Sequence, residues 1–281
     1  MKHNRPLVLS ASRMTDMPAF YPYELIEAVD QRIASGVSVH TVVLWTKHPA
    51  SLFTLPLHDA LLRWKKDGIQ LAVQVTVTGF GGVIFNNHEG RQVMIEPNVP
   101  APAGAMALFP QLVTLVGHPD LIAVRFDPLM KVWSSHMALQ SNLAVAPTMV
   151  ASMADAGLKR LIYSFLEPGI YRKVDRRFSL EALGMVEFDA AEKTRIRVYL
   201  EGLGAEGGIS VKGCCVTGAD ETACVDGAEL ARIKGDGALP DARALHRRPG
   251  CGCTKSTDLG GWPPKPCSSG CLYCYARPHR Q

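Results

Sequence analysis

Three cysteines near the end of the chain have a spacing that suits an iron–sulfur cluster. Cys267, Cys271 and Cys274 form a C-x3-C-x2-C pattern, with Tyr273 directly before the third thiol. Four cysteine thiolates usually hold a [4Fe-4S] cluster, so three thiolates leave one iron open to a small ligand. A structural zinc knuckle is the alternative, but zinc modules favour paired C-x2-C units. The spacing therefore favours an open-site cluster over zinc.

This spacing, with an aromatic residue before the last cysteine, resembles the S-adenosylmethionine-binding motif of radical SAM enzymes. In those enzymes the motif lies near the N-terminus, in the loop after the first barrel strand, whereas here only residues 275–281 follow it. The resemblance implies that the open iron binds the amine and carboxylate of S-adenosylmethionine. Reductive cleavage would then give a 5′-deoxyadenosyl radical that abstracts a hydrogen atom from the substrate.

Three further segments, together with the terminal cysteines, resemble the uncharacterised DUF1848 family over essentially the whole chain. They are Ser10–Pro18 (SASRMTDMP), Leu44–Pro49 (LWTKHP) and Arg248–Cys253 (RPGCGC). The family is regarded as radical-SAM-like because of its terminal cysteine cluster. The resemblance implies an enzyme with [4Fe-4S] and S-adenosylmethionine as cofactors and an electron donor such as flavodoxin or ferredoxin as partner, and it indicates no substrate.

Five other cysteines form a second candidate metal site: Cys214, Cys215, Cys224, Cys251 and Cys253. Five thiols are enough for an auxiliary [4Fe-4S] cluster, which the pattern favours. A tetrahedral zinc ion is the main rival, and buried thiols without metal are the third interpretation. Because adjacent residues of a strand point to opposite faces, we expect at most one of the first two to be a ligand.

Composition and charge are typical of an ordinary soluble enzyme. The 281 residues are 47% hydrophobic and 20% charged, with a formal net charge of +4. The chain has neither an apolar run long enough for a membrane span nor an N-terminal signal segment, so a cytoplasmic location is expected. Eight cysteines at that location indicate metal binding rather than disulfides.

Apolar, β-branched runs alternate with helical stretches, which is typical of repeated βα units around a parallel sheet. The predicted strands are Leu7–Ala11, Thr41–Trp45, Leu71–Val77, Ile122–Phe126, Arg160–Phe165 and Ile209–Lys212. The predicted helices are Tyr23–Ala34, Leu57–Lys66, Ala105–Val116, Thr148–Ala156, Asp189–Gly202 and Asp226–Lys234.

Six βα units are too few for an eight-stranded barrel, whereas an α/β fold with a partial (β/α)6 TIM-like barrel fits both this count and the radical SAM resemblance. A doubly wound open sheet is the alternative, because periodicity does not separate the two. The pattern changes after residue 213, where Gly, Pro and Cys become frequent. We therefore expect a barrel over residues 1–213 and a cysteine-rich C-terminal cap over residues 214–281.

Polar side chains follow every predicted strand, at the edge where parallel βα folds place their working residues. Arginine and lysine there suit the carboxylate of S-adenosylmethionine, and carboxylates suit its ribose diol. The candidate catalytic residues are Arg13, Asp16, Lys47, Arg125 and Asp127. The candidate cofactor-binding residues are Ser12, Thr15, Thr46, Thr78, Gly81, Glu167 and Tyr273.

A radical SAM enzyme is thus the leading hypothesis, and the terminal cysteines should fold back over the strand ends to meet these side chains. A non-catalytic iron–sulfur or zinc-binding protein is the second hypothesis. The third is a nucleic-acid repair or modification protein, which depends on basic runs such as Arg172-Lys173 with Arg176-Arg177.

Overall fold

The computed structural model describes residues 5–134, 139–238, 240 and 248–276. Its strands are β1 Leu7–Ser10, β2 Val39–Thr46, β3 Gln70–Thr76, β4 Phe85–Asn86, β5 Gln92–Val93, β6 Ile122–Leu129, β7 Lys131–Trp133, β8 Leu139–Ser141, β9 Arg160–Phe165, β10 Gly184–Val186, β11 Ser210–Gly213 and β12 Thr257–Asp258. Its α-helices are α1 Met17–Phe20, α2 Pro22–Ala34, α3 Leu57–Lys66, α4 Pro102–Met106, α5 Phe109–Val116, α6 Ala146–Asp155, α7 Arg172–Leu180, α8 Ala190–Glu206 and α9 Gly227–Lys234.

Seven parallel strands form the central sheet, in the order β11-β9-β6-β3-β2-β1-β12. The strands are continuously apolar: Leu44 in β2, Val73 in β3 and Val124 in β6 are all completely buried. Such burial is expected of parallel strands that helices cover on both faces. The predicted α/β class and parallel sheet are therefore confirmed.

The first six strands of this sheet are neighbours in chain order, from β1 to β11. A doubly wound sheet instead reverses its strand order at a switch point, so the observed order differs from that alternative. The sheet also has one strand more than the six predicted. Strand β12 pairs with β1 through Leu9 opposite Thr257 and Ser10 opposite Asp258. Closure into a partial barrel stays a prediction.

Helix α3 shows how the sequence builds the layer over the sheet. Leu57, Ala60, Leu61 and Trp64 recur at helical spacing, and all four are buried against the core. The indole N–H of Trp64 donates to Asp30 on α2 at 2.8 Å, so its one polar atom is satisfied. Because the apolar spacing is regular, the predicted bounds of this helix match the observed ones.

Two predicted elements differ from the structure for local reasons. The helix predicted over Ala105–Val116 is divided into α4 and α5, because Pro110 lies in the first turn of α5. A proline inside a continuous helix would remove a backbone hydrogen bond and clash with the carbonyl four residues earlier. Strand β6 continues past Phe126 to Leu129, so Asp127 lies within the strand rather than beyond it.

A second apolar cluster lies apart from the main core and includes part of the C-terminal loop. It contains Phe85, Met130 and Phe178, and it packs against Leu272 and Tyr273. Two small antiparallel sheets, β10-β7-β8 and β4-β5, contribute residues to it. The loop with the last three cysteines is thus anchored by burial of its own apolar side chains. Among the described helices, none combines the length and apolar character needed to cross a membrane.

The pairing of β12 with β1 depends on a close approach at Gly260. A Cβ atom added there would lie 2.4 Å from Oγ and 2.6 Å from Cβ of Ser12. We expect Gly260→Ala to lower the free energy of unfolding by about 1–3 kcal/mol, as overpacking does. Urea unfolding measures the change.

The matched control is Gly202→Ala inside α8, where an added Cβ meets no heavy atom within 4 Å. Alanine favours the helix over glycine, so this variant should gain about 0.5–1 kcal/mol. Equal losses in the two variants would contradict the close approach at Gly260.

Candidate functional site

The loop that carries the last three cysteines crosses the carboxyl ends of β1 and β2. The hydroxyl of Thr15, in the segment after β1, donates to the carbonyl of Lys265 at 2.8 Å. The Nε2 atom of His48, shortly after β2, lies 2.9 Å from the hydroxyl of Ser269. These contacts bring the end of the chain to the edge where a parallel βα fold places its working residues.

The loop itself consists of two successive turns. The N–H of Gly270 donates to the carbonyl of Cys267 at 3.4 Å, and the N–H of Cys274 donates to that of Cys271 at 3.3 Å. Nη1 of Arg177, on α7, donates to the carbonyl of Cys274 at 2.7 Å. The middle cysteine is buried, the outer two are half-buried, and no disulfide joins them. Three free thiols therefore occupy the start, middle and end of one compact loop.

A buried ionic network joins this loop to the sheet. Nζ of Lys47 donates to Glu96 at 2.9 Å and to the hydroxyl of Tyr273 at 2.7 Å, and that hydroxyl donates to Glu96 as well. The hydroxyl of Thr78 donates to the second carboxylate oxygen at 2.5 Å. The thiol of Cys271 lies 4.0 Å from Glu96. Four of the predicted site residues thus meet around one carboxylate that the sequence did not indicate.

The charges of this network stabilise each other. Burial by itself would raise the pKa of Glu96, but Lys47 and the hydrogen-bond donors outweigh burial and hold that pKa below its ordinary value. Burial by itself would lower the pKa of Lys47, yet Glu96 and the other acidic groups raise it. Burial raises the pKa of Cys271 to about 12, against the effect of Lys47, so the metal-free thiol is neutral.

The predicted candidate Gly81 helps to position Glu96. A Cβ atom added to this glycine would lie 2.1 Å from the carbonyl oxygen of Pro100, so a larger residue does not fit. Its backbone forms an isolated bridge with Glu96. A small pocket opens here, and Lys47 and Thr78 are in its lining. The glycine therefore permits a close backbone approach beside the network.

Asp16 and Thr46 support Lys47 from the other side. Asp16 is the N-cap of α1, where it accepts the N–H of Ala19 at 3.2 Å. Its other oxygen accepts the backbone N–H of Lys47 at 2.8 Å and the hydroxyl of Thr46 at 3.0 Å. Burial raises the pKa of Asp16. This carboxylate fixes the backbone that carries the lysine, and its oxygens are already engaged.

A second group of thiols forms beside β6. Cys214, Cys224 and Cys253 are buried together, and the sulfurs of the first two lie 3.6 Å apart. The sulfur of Cys253 accepts the backbone N–H of Cys224 at 3.2 Å. Cys215 and Cys251 pack against these three. The fold thus brings together all five cysteines of the second predicted set.

The prediction that at most one of Cys214 and Cys215 is a ligand assumed that both belong to a strand, but β11 ends at Gly213. Cys215 has a left-handed φ of 54°, so the chain turns directly after Cys214. The alternation of side chains along a strand does not apply in such a turn. Both residues therefore pack in the same thiol group.

Two of the candidate catalytic residues belong to this second group. Nη1 of Arg125 donates to the sulfur of Cys224 at 2.8 Å, and Nη2 donates to Asp127. Asp127 also accepts the hydroxyl of Ser164. Burial opposes the charge of Arg125, but Asp127 and the neighbouring thiols raise its pKa well above the ordinary value. The guanidinium is thus held by a carboxylate on one side and by sulfur on the other.

The remaining candidates have other surroundings. The guanidinium of Arg13 is exposed and lies 5.2 Å from the centre of the Trp45 ring. Ser12 is buried, with a left-handed φ of 66°, and its hydroxyl accepts the N–H of Met14. Glu167 pairs with Lys193 at 3.3 Å on the exposed surface. The predicted set therefore divides between the two thiol groups and the surface near them.

No separate signal in the sequence marks Glu96 as a site residue. It lies in a loop after the short strand β5, and it follows none of the predicted strands. A lone glutamate between Ile95 and Pro97 has no pattern that distinguishes it from a surface residue. Among the described residues, no three His, Cys, Asp or Glu side chains are already arranged to hold a metal ion.

Comparisons with known proteins give a family and distant structural similarities. A family model described as "Domain of unknown function (DUF1848)" matches residues 27–276. No curated protein matches the chain. SuiB from Streptococcus suis, bound to S-adenosylmethionine, is similar with a TM-score of 0.38 and 10% identity, over 75% of this chain and 47% of that chain.

Two other solved structures are similar at the same low level. The carboxyl transferase domain of Rhizobium etli pyruvate carboxylase has a TM-score of 0.40 and 14% identity, over 99% of this chain and 45% of that one. A xylose isomerase domain protein from Planctomyces limnophilus has a TM-score of 0.28 and 15% identity, over 74% and 71%. The chain spans about half the length of SuiB. At these TM-scores the similarities carry no information about the site.

The buried pair predicts a large loss of stability when one partner is removed. Lys47→Met or Glu96→Leu leaves the other charge buried without its partner, which costs about 3–5 kcal/mol. The double variant should lose less free energy of unfolding than the sum of the losses in the two single variants. Urea unfolding of the four proteins at neutral pH measures the coupling.

The matched control is Lys193→Met, whose partner Glu187 is more than half exposed, so the change should stay below about 1 kcal/mol. The pH dependence gives a second check. The contribution of Glu96 is lost as pH falls through a pKa below 4.5, and that of Lys47 is lost as pH rises through a pKa above 10.5. If the coupling free energy between Lys47 and Glu96 changed with pH between these two pKa values, the result would contradict a buried ion pair.

Proposed function

The chain belongs to the DUF1848 family, a domain of unknown function, and from the geometry of its last three cysteines we propose that it is a radical SAM-type iron–sulfur enzyme. One observation carries the proposal: the loop with these cysteines packs on the carboxyl ends of β1 and β2 and is tied to the rim by Lys47 and Tyr273. A cofactor and a substrate could meet an open iron there.

The donor set fits an open-site [4Fe-4S] cluster in its chemistry. Cys267, Cys271 and Cys274 are free thiols on one two-turn loop, and the loop contains no fourth cysteine. The hydroxyl of Tyr273 is engaged by Lys47 and Glu96, so the tyrosine is not available as a ligand. When bound, such a cluster supplies the open iron and the electron for reductive cleavage of S-adenosylmethionine.

The protein's own residues provide charge and shelter for this chemistry. Lys47 keeps a positive charge beside Cys271, and this charge opposes the rise in the pKa of that thiol caused by burial. The apolar cluster around Phe85, Met130 and Phe178 packs against Cys271, Leu272 and Tyr273 of the loop and excludes water there. We propose that the parallel sheet is a partial barrel whose open end receives the cofactor.

Arg13 is the candidate for the carboxylate of S-adenosylmethionine. Lys47 is already paired with Glu96, and Arg125 is already paired with Asp127. Among the described residues, the guanidinium of Arg13 contacts the Trp45 ring but forms no ion pair. An arginine can hold a carboxylate through two parallel hydrogen bonds. Arg13 can therefore bind the carboxylate of S-adenosylmethionine, whereas Lys47 and Arg125 already bind carboxylates of the protein.

The proposed electron donor is an acidic redox protein of the flavodoxin or ferredoxin class. Arg172 and Arg176 are exposed one turn apart on α7. Tyr171 stacks on Tyr275, with ring centres 5.2 Å apart, directly after Cys274. Basic and aromatic side chains therefore surround the edge of the cysteine loop, where an acidic partner would bring its cofactor close to the thiols.

We expect anaerobically reconstituted protein to bind an oxygen-sensitive [4Fe-4S] cluster at the terminal loop. Replacing Cys267, Cys271 and Cys274 together by Ala should lower the iron content by about four per chain, the content of one cubane. Adding S-adenosylmethionine to the reduced wild type should shift the g-values in the EPR spectrum, because the open iron gains a ligand.

The matched control is Tyr273→Phe, which keeps the ring and all three thiols and removes only the hydroxyl that Lys47 and Glu96 bind. This variant should retain its iron. Unchanged iron in the triple variant, or zinc alone at the loop of anaerobically purified protein, would refute the cluster. A cluster EPR spectrum that does not change when S-adenosylmethionine is added would instead favour a non-catalytic iron–sulfur carrier.

Charge reversal on α7 tests the electron donor. Arg172→Glu with Arg176→Glu should slow cluster reduction by reduced flavodoxin at least tenfold at low salt, because like charges repel the acidic partner. Reduction by dithionite should not change, since that small reductant needs no docking surface. The control is Lys65→Glu with Lys66→Glu on α3, which should leave both rates unchanged. Equal slowing by the two double variants would rule out a specific α7 surface.

A further inference from the structure

The buried thiols beside β6 come from three separate segments of the chain. Cys214 follows β11, Cys224 precedes α9, and Cys253 precedes β12. Their residues are 6%, 5% and 4% exposed, respectively, so almost no solvent reaches them. Packing alone would be served equally well by alanine or valine. Three sulfurs drawn from such distant segments indicate a shared ligand.

The distance between two of the sulfurs favours a single ion over a cluster. Sγ of Cys214 and Sγ of Cys224 lie 3.6 Å apart. Two thiolates on one tetrahedral zinc ion, each about 2.3 Å from the metal, lie about 3.8 Å apart. The observed separation is therefore close to the edge of one zinc–thiolate tetrahedron. The sequence favoured an auxiliary [4Fe-4S] cluster here, and this geometry favours the rival.

Hydrogen-bond donors already point at these sulfurs. Nη1 of Arg125 lies 2.8 Å from the sulfur of Cys224, and the backbone N–H of Cys224 donates to Cys253 at 3.2 Å. Such donors outside the ligand shell orient metal-bound thiolates and offset part of their negative charge. The buried guanidinium has Asp127 as its only carboxylate partner among the described residues. A thiolate at Cys224 would give the other edge of the Arg125 guanidinium an anionic partner as well.

A fourth thiol lies beside the three. Cys215 has a left-handed φ of 54°, which is costly for a residue other than glycine. This turn packs Cys215 against the buried group that contains Cys214. A strained backbone conformation of this kind persists only where the surrounding structure enforces it, and such positions cluster at functional sites. The remaining cysteine, Cys251, is half-buried and pairs through its backbone with Thr222.

We propose that Cys214, Cys215, Cys224 and Cys253 hold one tetrahedral divalent ion of the zinc class. The site is separate from the terminal loop, and it would join the segment after β11 to the segment that leads into β12. The thiols do not surround one point in this structure, so binding requires rotation of their side chains. With four protein ligands the ion has no open position, which is typical of a structural site.

The test uses the variant with Cys267, Cys271 and Cys274 replaced by Ala, so that failure here is distinct from failure of the proposed cluster. Purified without chelator, this variant should contain about one zinc ion per chain, as one tetrahedral site implies. Cobalt in place of zinc should give the visible bands and thiolate charge-transfer absorption of tetrahedral Co²⁺. Removal of the ion should lower the melting temperature.

Single replacements in that background identify the ligands. Cys214→Ala, Cys215→Ala, Cys224→Ala and Cys253→Ala should each lower zinc to less than a tenth of its starting value. Cys251→Ala is the matched control and should keep the ion. Because variants of the buried cysteines can fail to fold, the half-buried pair Cys215 and Cys251 gives the decisive comparison.

Three results would overturn the inference. The first is a folded background variant that takes up neither zinc nor cobalt. The second is iron with acid-labile sulfide in place of zinc, which would assign an auxiliary cluster to these thiols. The third is that Cys251→Ala loses the ion while Cys215→Ala retains it. That result would make Cys251, and not Cys215, the fourth ligand.

Discussion

The buried ion pair between Lys47 and Glu96 is the interaction on which the candidate site depends. The two residues are 49 positions apart, and Tyr273, which binds both, is 226 positions from the lysine. A buried pair is stable only when the remaining hydrogen-bonding capacity of both groups is filled. Thr78 and Tyr273 fill it here, so this network joins the terminal loop to the sheet in addition to the apolar packing of Leu272 and Tyr273.

The strand order explains why the end of the chain reaches this pair. The strands from β1 to β11 are neighbours in chain order, and β12 lies on the far side of β1. Because β12 runs parallel to β1, the residues after β12 emerge beside the exit of β1.

The sequence predicted what local patterns determine. The continuous apolar runs gave the parallel strands, and the spacing of Leu57, Leu61 and Trp64 gave α3. It could not predict Glu96, because the importance of that carboxylate arises only when folding brings Lys47 beside it. The alternation rule failed at Cys215, where a left-handed turn replaces the strand. The spacing of the cysteines thus indicates which metal chemistry to expect. The charged residues that surround the cysteines, such as Lys47 and Glu96, are brought there only by tertiary contacts.

The short strand β12 has a further consequence for self-association. Without it, β1 would be an edge strand with a row of unpaired N–H and C=O groups, and its residues Val8 and Leu9 are strongly apolar. Edges of this kind are templates on which other chains add strands. The two residues of β12 cover the exit half of that edge. The segment that leads to the terminal cysteines therefore also covers an edge on which other chains could otherwise add strands.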